Sequence, residues 1–158
     1  MFYPLLLVWA AACAWQDAQQ KRINNGLTFS GIIIALAYLL LRQETLTGSP
    51  PLQAVLAVCL VFFLMLPGYL AAKVGAGDIK MLLGVALATH AIYILICIVF
   101  AGIAMALWLV LAPWVWQVCP NNITKRIPYL APFHKRSMPY APFLLLGIGV
   151  ASAWQALA

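Results

Sequence analysis

The sequence predicts an all-α fold, an integral membrane bundle of six transmembrane helices, and three observations predict it. The chain is 66% hydrophobic and 8% charged over 158 residues, outside the range of soluble globular proteins. Its apolar residues fall in successive charge-free runs, most of them close to the roughly 20 residues that a helix needs to cross the hydrocarbon of a bilayer. The basic residues gather in alternate gaps between those runs, as membrane topology requires.

The first span is expected at 2–16. It has the length of a signal peptide, but no Lys or Arg precedes it and the basic residues follow it, so it is expected to be a retained span. The second and third spans are expected at 27–41 and 52–72. The stretch from 79 to 116 carries no charge after Lys80. It is too long for one span and suits two, placed at 79–95 and 97–116, with His90 and Gly102 as the only hints of a break. The last span is expected at 140–157. All should be helical, because backbone polar groups in lipid must be satisfied within the segment.

Charge supports this count. Lys21 and Arg22 lie in the first gap, Lys73 and Lys80 around the third, and Lys125, Arg126, Lys135 and Arg136 in the fifth, whereas the second gap holds Arg42 beside Glu44. Six spans put eight of the nine basic residues on one side, which should be cytoplasmic, with both termini outside. The net charge of +6 is then a matter of topology, and the expected surroundings are membrane lipid with no nucleic acid. Residues 117–139, rich in Pro, aromatic and basic residues, suit the cytoplasmic interface. Small residues four apart (Ala10 and Ala14, Gly31 and Ala35, Gly84 and Ala88, Gly102 and Ala106, Gly147 and Ala151) suit close helix approach. Cys13, Cys59, Cys97 and Cys119 are scattered without CxxC spacing, so neither a zinc site nor a disulfide framework is expected.

Acids are rarer than bases: the chain has three, of which Asp17 and Asp78 are its only aspartates. Asp17 follows the first span and Asp78 precedes the fourth, so both fall at the cytoplasmic edge. Each has a plain structural reading, Asp17 as an i,i+4 partner of Lys21 and Asp78 as a helix cap after "GAG". Placed together they have a chemical one. Two neighbouring carboxylates cannot both ionise readily, so one keeps a proton. The ionised one can deprotonate a water while the other donates to a scissile carbonyl. Gly75 and Gly77 would allow close packing and let a substrate backbone approach Asp78. Lys80 has two open readings, a cation tuning Asp78 and a snorkelling anchor. His90 and His134 fall on opposite sides, which argues against a His-based triad or metal site. No phosphate-binding loop is present, and no cofactor is expected.

Three motifs carry a family resemblance: "QDAQQKRINN" from Gln16, "GAGDIKM" from Gly75, and "MPYAPFLLLG" at 138–147. They resemble the type IV prepilin peptidases, membrane aspartyl proteases of the GxGD type, in order and spacing over nearly the whole chain. The resemblance implies that Asp17 and Asp78 are the catalytic pair and that Gly75, Gly77 and Lys80 are the supporting motif. Lys21, Arg22, Asn25, Pro139 and Pro142 would be substrate-contacting or interfacial positions. Asn24 stands where the family usually has Pro, and Ala141 where Gly is common. The first gap lacks the CxxC-containing insert of longer, N-methylating members, which implies cleavage without methyl transfer, as in short members associated with Flp/Tad pili. The implied substrates are prepilins or pseudopilins with a short basic leader ending in Gly, cut at the cytoplasmic face of the bacterial inner membrane. Oligomeric state is open. Two other classes compete: a small proton- or cation-coupled transporter or channel subunit using the same aspartates, and a non-catalytic assembly factor for which they would be dispensable.

Overall fold

The computed structural model describes residues 2–71, 74–118, 124, 126, 128–131 and 139–157. Lys73, Cys119, Lys125, His134, Lys135 and Arg136 lie outside them. Among the described residues all regular structure is helical: α1 (Tyr3–Gln20), α2 (Asn25–Arg42), α3 (Pro51–Leu70), α4 (Ala76–Ala88), α5 (Ala91–Val118), a 3-10 turn at Pro128–Leu130, and α6 (Ala141–Leu157). Among the described residues three helices, spanning Asn25–Arg42, Pro51–Leu70 and Ala91–Gln117, are long and apolar enough to cross a membrane; Ala141–Leu157 is apolar but shorter.

Local sequence sets the helix ends. Pro sits in the first turn of α1 and of α3, where its missing N–H costs nothing. Asn24 caps α2, its Oδ1 accepting from the Gly26 N–H at 2.8 Å, and its own N–H donates to Gln16 Oε1 at 3.0 Å. A proline here could not donate that bond, so Asn24 joins α1 to α2 in its own way. Helix α1 stops at Lys21, whose backbone is left-handed at φ 50° and whose N–H returns to the Asp17 carbonyl at 2.8 Å. This is a helix-ending conformation usually given to Gly.

The break expected near residue 96 falls instead at Thr89 and His90, so the span placed at 79–95 ends with α4 at Ala88 and the one placed at 97–116 begins at Ala91. The reason is local. Thr89 turns its hydroxyl back onto the Val85 carbonyl at 2.7 Å, and the α2–α3 loop supplies the Thr47 N–H to the Ala88 carbonyl at 3.3 Å. With its terminal carbonyls engaged, α4 has no need to continue. At this end His90 contacts Ser49 and Gln155, each at 3.3 Å, linking the loop, the turn and α6.

Helix α4 is the innermost element. Met81, Leu82, Val85 and Ala86 are fully buried, and α2 and α3 pack along it. Trp9 of α1 is wedged between Gly31 and Gly84, close enough that a Cβ on either glycine would meet its ring. Its indole N–H donates to the Leu27 carbonyl at 2.9 Å. On the other side, α5 and α6 meet where Gly147 lies against the Cys97 backbone. The Tyr93 hydroxyl donates to the Ile148 carbonyl at 3.1 Å and lies 2.7 Å from Ser152 Oγ. Of the small-residue pairs, Gly102 and Ala106 face outward, with nothing within 4 Å of a Cβ on Gly102. Cys13 and Cys97 are buried free thiols and Cys59 is an exposed one.

Candidate active site

Asp17 lies in the last turn of α1 and is 5% exposed; Asp78 lies in the first turn of α4 and is 8% exposed. Both sit just beyond the apolar spans read from the sequence, at the end of the bundle where α1, α4 and α6 converge. They are close enough for the Asp17 charge to act on the Asp78 carboxyl. The chain therefore brings together two groups 61 positions apart in sequence.

Each carboxylate serves a helix N-terminus. Asp78 Oδ2 accepts the Gly75 N–H at 3.2 Å, three residues back, the acid half of a capping box. Asp17 does the same for α6 from far away: its Oδ2 accepts the Ala141 N–H at 3.1 Å across 124 positions, and the Tyr140 N–H also supports it. The unpaired N–H groups of a helix start favour an anion, and Pro142 in the first turn of α6 needs no donor of its own. The reading of Asp78 as a helix cap thus describes a real contact, and Asp17 has a structural role of another kind, at the start of α6. These roles leave one atom unaccounted for: Asp78 Oδ1 is buried and has no hydrogen-bond partner among the described residues. A buried polar oxygen without a partner is costly and marks where a water or carbonyl would find an acceptor or donor.

The two carboxyls are unequal. Burial pushes Asp17 above its usual range, while the Ala141 N–H, the Lys21 charge and the Tyr140 N–H pull it back. Burial first, and then the Asp17 charge, push Asp78 up to about 7, opposed by the Gly75 N–H and Lys21. With fewer donors, Asp78 is the member better suited to hold a proton at neutral pH.

The surrounding candidates divide. Lys21, brought back by the left-handed turn, is the cation acting on both aspartates. Lys80 points elsewhere: its ammonium donates to Asn25 Oδ1 at 2.9 Å and lies 4.9 Å from the Phe29 ring centroid, tying α4 to the start of α2. Arg22 is exposed, Pro139 is fully buried and Pro142 half-buried. A Cβ on Gly75 would come within 3.0 Å of Asp78 Oδ2, whereas one on Gly77 would meet Ile23 at an ordinary 3.6 Å. A methyl on Gly75 would thus press on the carboxylate itself. Sequence reasoning missed the α6 N–H pair holding Asp17; the clue was the position of "PYAP" at a helix start, but no local pattern links it to Asp17.

The model described as the type IV leader peptidase family matches residues 4–110 of the chain. That stretch contains both aspartates and ends before α6. No curated protein and no solved structure matches the chain.

Proposed function

The chain belongs to the type IV leader peptidase family, and from that premise we propose that it is a membrane aspartic endopeptidase. It removes the short basic leader of prepilins or pseudopilins at the cytoplasmic face of the inner membrane. The observation that carries this reading is the partnerless Asp78 Oδ1 beside a second buried carboxylate.

In the proposed reaction Asp17, ionised and held by the N–H groups of α6, accepts a proton from water as the oxygen attacks the scissile carbonyl carbon. Asp78 donates its proton to the carbonyl oxygen, giving a tetrahedral diol. Collapse breaks the C–N bond as the nitrogen leaves with the proton from Asp17, and a diol hydroxyl returns its proton to Asp78. No covalent intermediate is needed. The topology expected from the charge pattern supports the side: it would put Lys21 and Arg22 with the aspartates at the cytoplasmic face, where a basic leader is retained. The α1–α2 connection is only Lys21–Asn24, which leaves no room for a methyl-transferring insert and supports cleavage alone.

The deciding experiment uses a hydrophobic helical substrate with a basic, Gly-ending leader, in detergent or liposomes. Wild type is expected to cut after the Gly, and Asp17→Asn and Asp78→Asn to lose about 10²–10⁴-fold in rate. Activity should fall on the alkaline side above about pH 7, where Asp78 gives up its proton, and on the acid side where Asp17 gains one. Normal cutting by either variant would sink the reading, and proton or ion flux would then be measured. Gly75→Ala, which displaces the Asp78 carboxylate, should slow cutting on the order of 10- to 100-fold. Gly77→Ala should leave the unfolding temperature unchanged, since Ile23 accommodates the methyl. Wild-type rates for Gly75→Ala would contradict the close approach seen there.

A further inference from the structure

An open groove of about 210 Å³ runs between α3 and α4, lined by Phe62, Met65, Leu66, Tyr69, Ala76, Ile79 and Lys80. Phe62, Leu66 and Tyr69 stand 47%, 45% and 45% exposed. Phe62 and Tyr69 are seven residues apart, so the apolar track is about 10 Å long. Tyr69 and Lys80 bring to it a phenol and a long cationic side chain, types that favour the membrane interface.

The charge on Lys80 is uncompensated among the described residues. The Lys80 ammonium donates to the neutral Asn25 Oδ1 and rests on the Phe29 face. Among the described residues no carboxylate forms an ion pair with it: Glu44 lies beside Arg42, and the two aspartates are held by backbone N–H groups. Asn25 and Phe29 fix the ammonium in place while leaving its charge for an anion.

Charge and shape select the occupant: the groove is open to its surroundings along one side, and a fixed cation beside an apolar track suits an amphiphile with an anionic head. A single extended hydrocarbon chain needs no hydrogen bonds from an apolar wall. We infer that the α3–α4 groove binds an anionic phospholipid, with one acyl chain along Phe62, Leu66 and Tyr69 and the phosphate against Lys80. Anionic lipid is enriched at cytoplasmic leaflets, so the site would be filled from the membrane itself. Ala76 and Ile79 flank Asp78 in sequence, which places the lipid next to the α4 start.

The test follows the unfolding midpoint of the purified protein in detergent by Trp fluorescence. Phosphatidylglycerol or phosphatidylcholine with identical chains is added. Phosphatidylglycerol is expected to raise the midpoint more than phosphatidylcholine. Lys80→Gln should remove the difference and Lys80→Arg should keep it. Ala76→Phe, which fills the groove, should abolish the phosphatidylglycerol shift. Equal shifts by the two lipids, or a wild-type response from Lys80→Gln or Ala76→Phe, would overturn the assignment. So would an equal shift from soluble glycerol 3-phosphate, which needs no groove, or loss of the lipid shift to a competing hydrophobic helical peptide, which would make the occupant a polypeptide. None of these readouts depends on proteolysis.

Discussion

Asp78→Asn is expected to stabilise the protein at pH 8 while abolishing its cleavage activity. Burial and the Asp17 charge raise the Asp78 carboxyl to about 7, against roughly 3.9 when the chain is unfolded. The stability tied to its protonated form is fully present below about pH 4 and is lost as pH rises through 7. At pH 8 the folded protein holds an ionised carboxylate at a cost of about 4 kcal/mol, from a shift of about 3 units at 1.36 kcal/mol each. Asparagine removes that charge and keeps an acceptor for the Gly75 N–H. It also puts an amide nitrogen where Oδ1 finds no partner, a penalty of about 1–3 kcal/mol. The gain at pH 8 should therefore be about 1–3 kcal/mol, shrinking toward zero or reversing at pH 5. Thermal unfolding of both proteins at the two pH values measures it. An identical shift at both would show that Asp78 is not a strained carboxylate.

Gly147→Ala is expected to be the most damaging of the glycine substitutions. The added methyl would run into the Cys97 carbonyl, which belongs to the α5 backbone and cannot rotate away. The helices must part, loosening the Tyr93 contacts to Ile148 and Ser152 and moving Ala141, which holds Asp17. Overpacking of this kind costs about 1–3 kcal/mol, and larger side chains should prevent folding. Gly102→Ala and Gly149→Ala meet nothing within 4 Å and should be neutral, or stabilising by about 0.5–1 kcal/mol as alanine replaces glycine within a helix. Unfolding temperature and cleavage rate together test this; a tolerant Gly147→Ala would mean that the α5–α6 interface is looser than its geometry.

How far these features can be read from sequence depends on how local their causes are. The helical class follows from composition and the spacing of apolar runs, which act along the chain, whereas the pairing of Asp17 with Asp78 follows from the expected topology and the family resemblance. Four of the five small-residue pairs fall in packed regions, but Gly102 with Ala106 has the same spacing and faces outward. Spacing shows what a helix permits, and its neighbours decide what is used. The α4–α5 break was misplaced because Thr89 ends the helix with help from Thr47, on a loop some 40 positions earlier. Lys80 could not be assigned from its distance to Asp78 in sequence, since residues two apart on a helix face different ways. The Asp17–Ala141 bond is wholly tertiary.

That last bond has a consequence for how the molecule is made. Asp17 leaves the ribosome 124 positions ahead of the N–H group that receives it. At 5–20 residues per second this is an interval of about 6–25 s. During it both aspartates have been synthesised, yet one lacks its donors. The working geometry is thus assembled last, by the arrival of the final helix. In the proposed reading, a nascent chain on its way into the membrane holds both acids before the helix that completes their geometry.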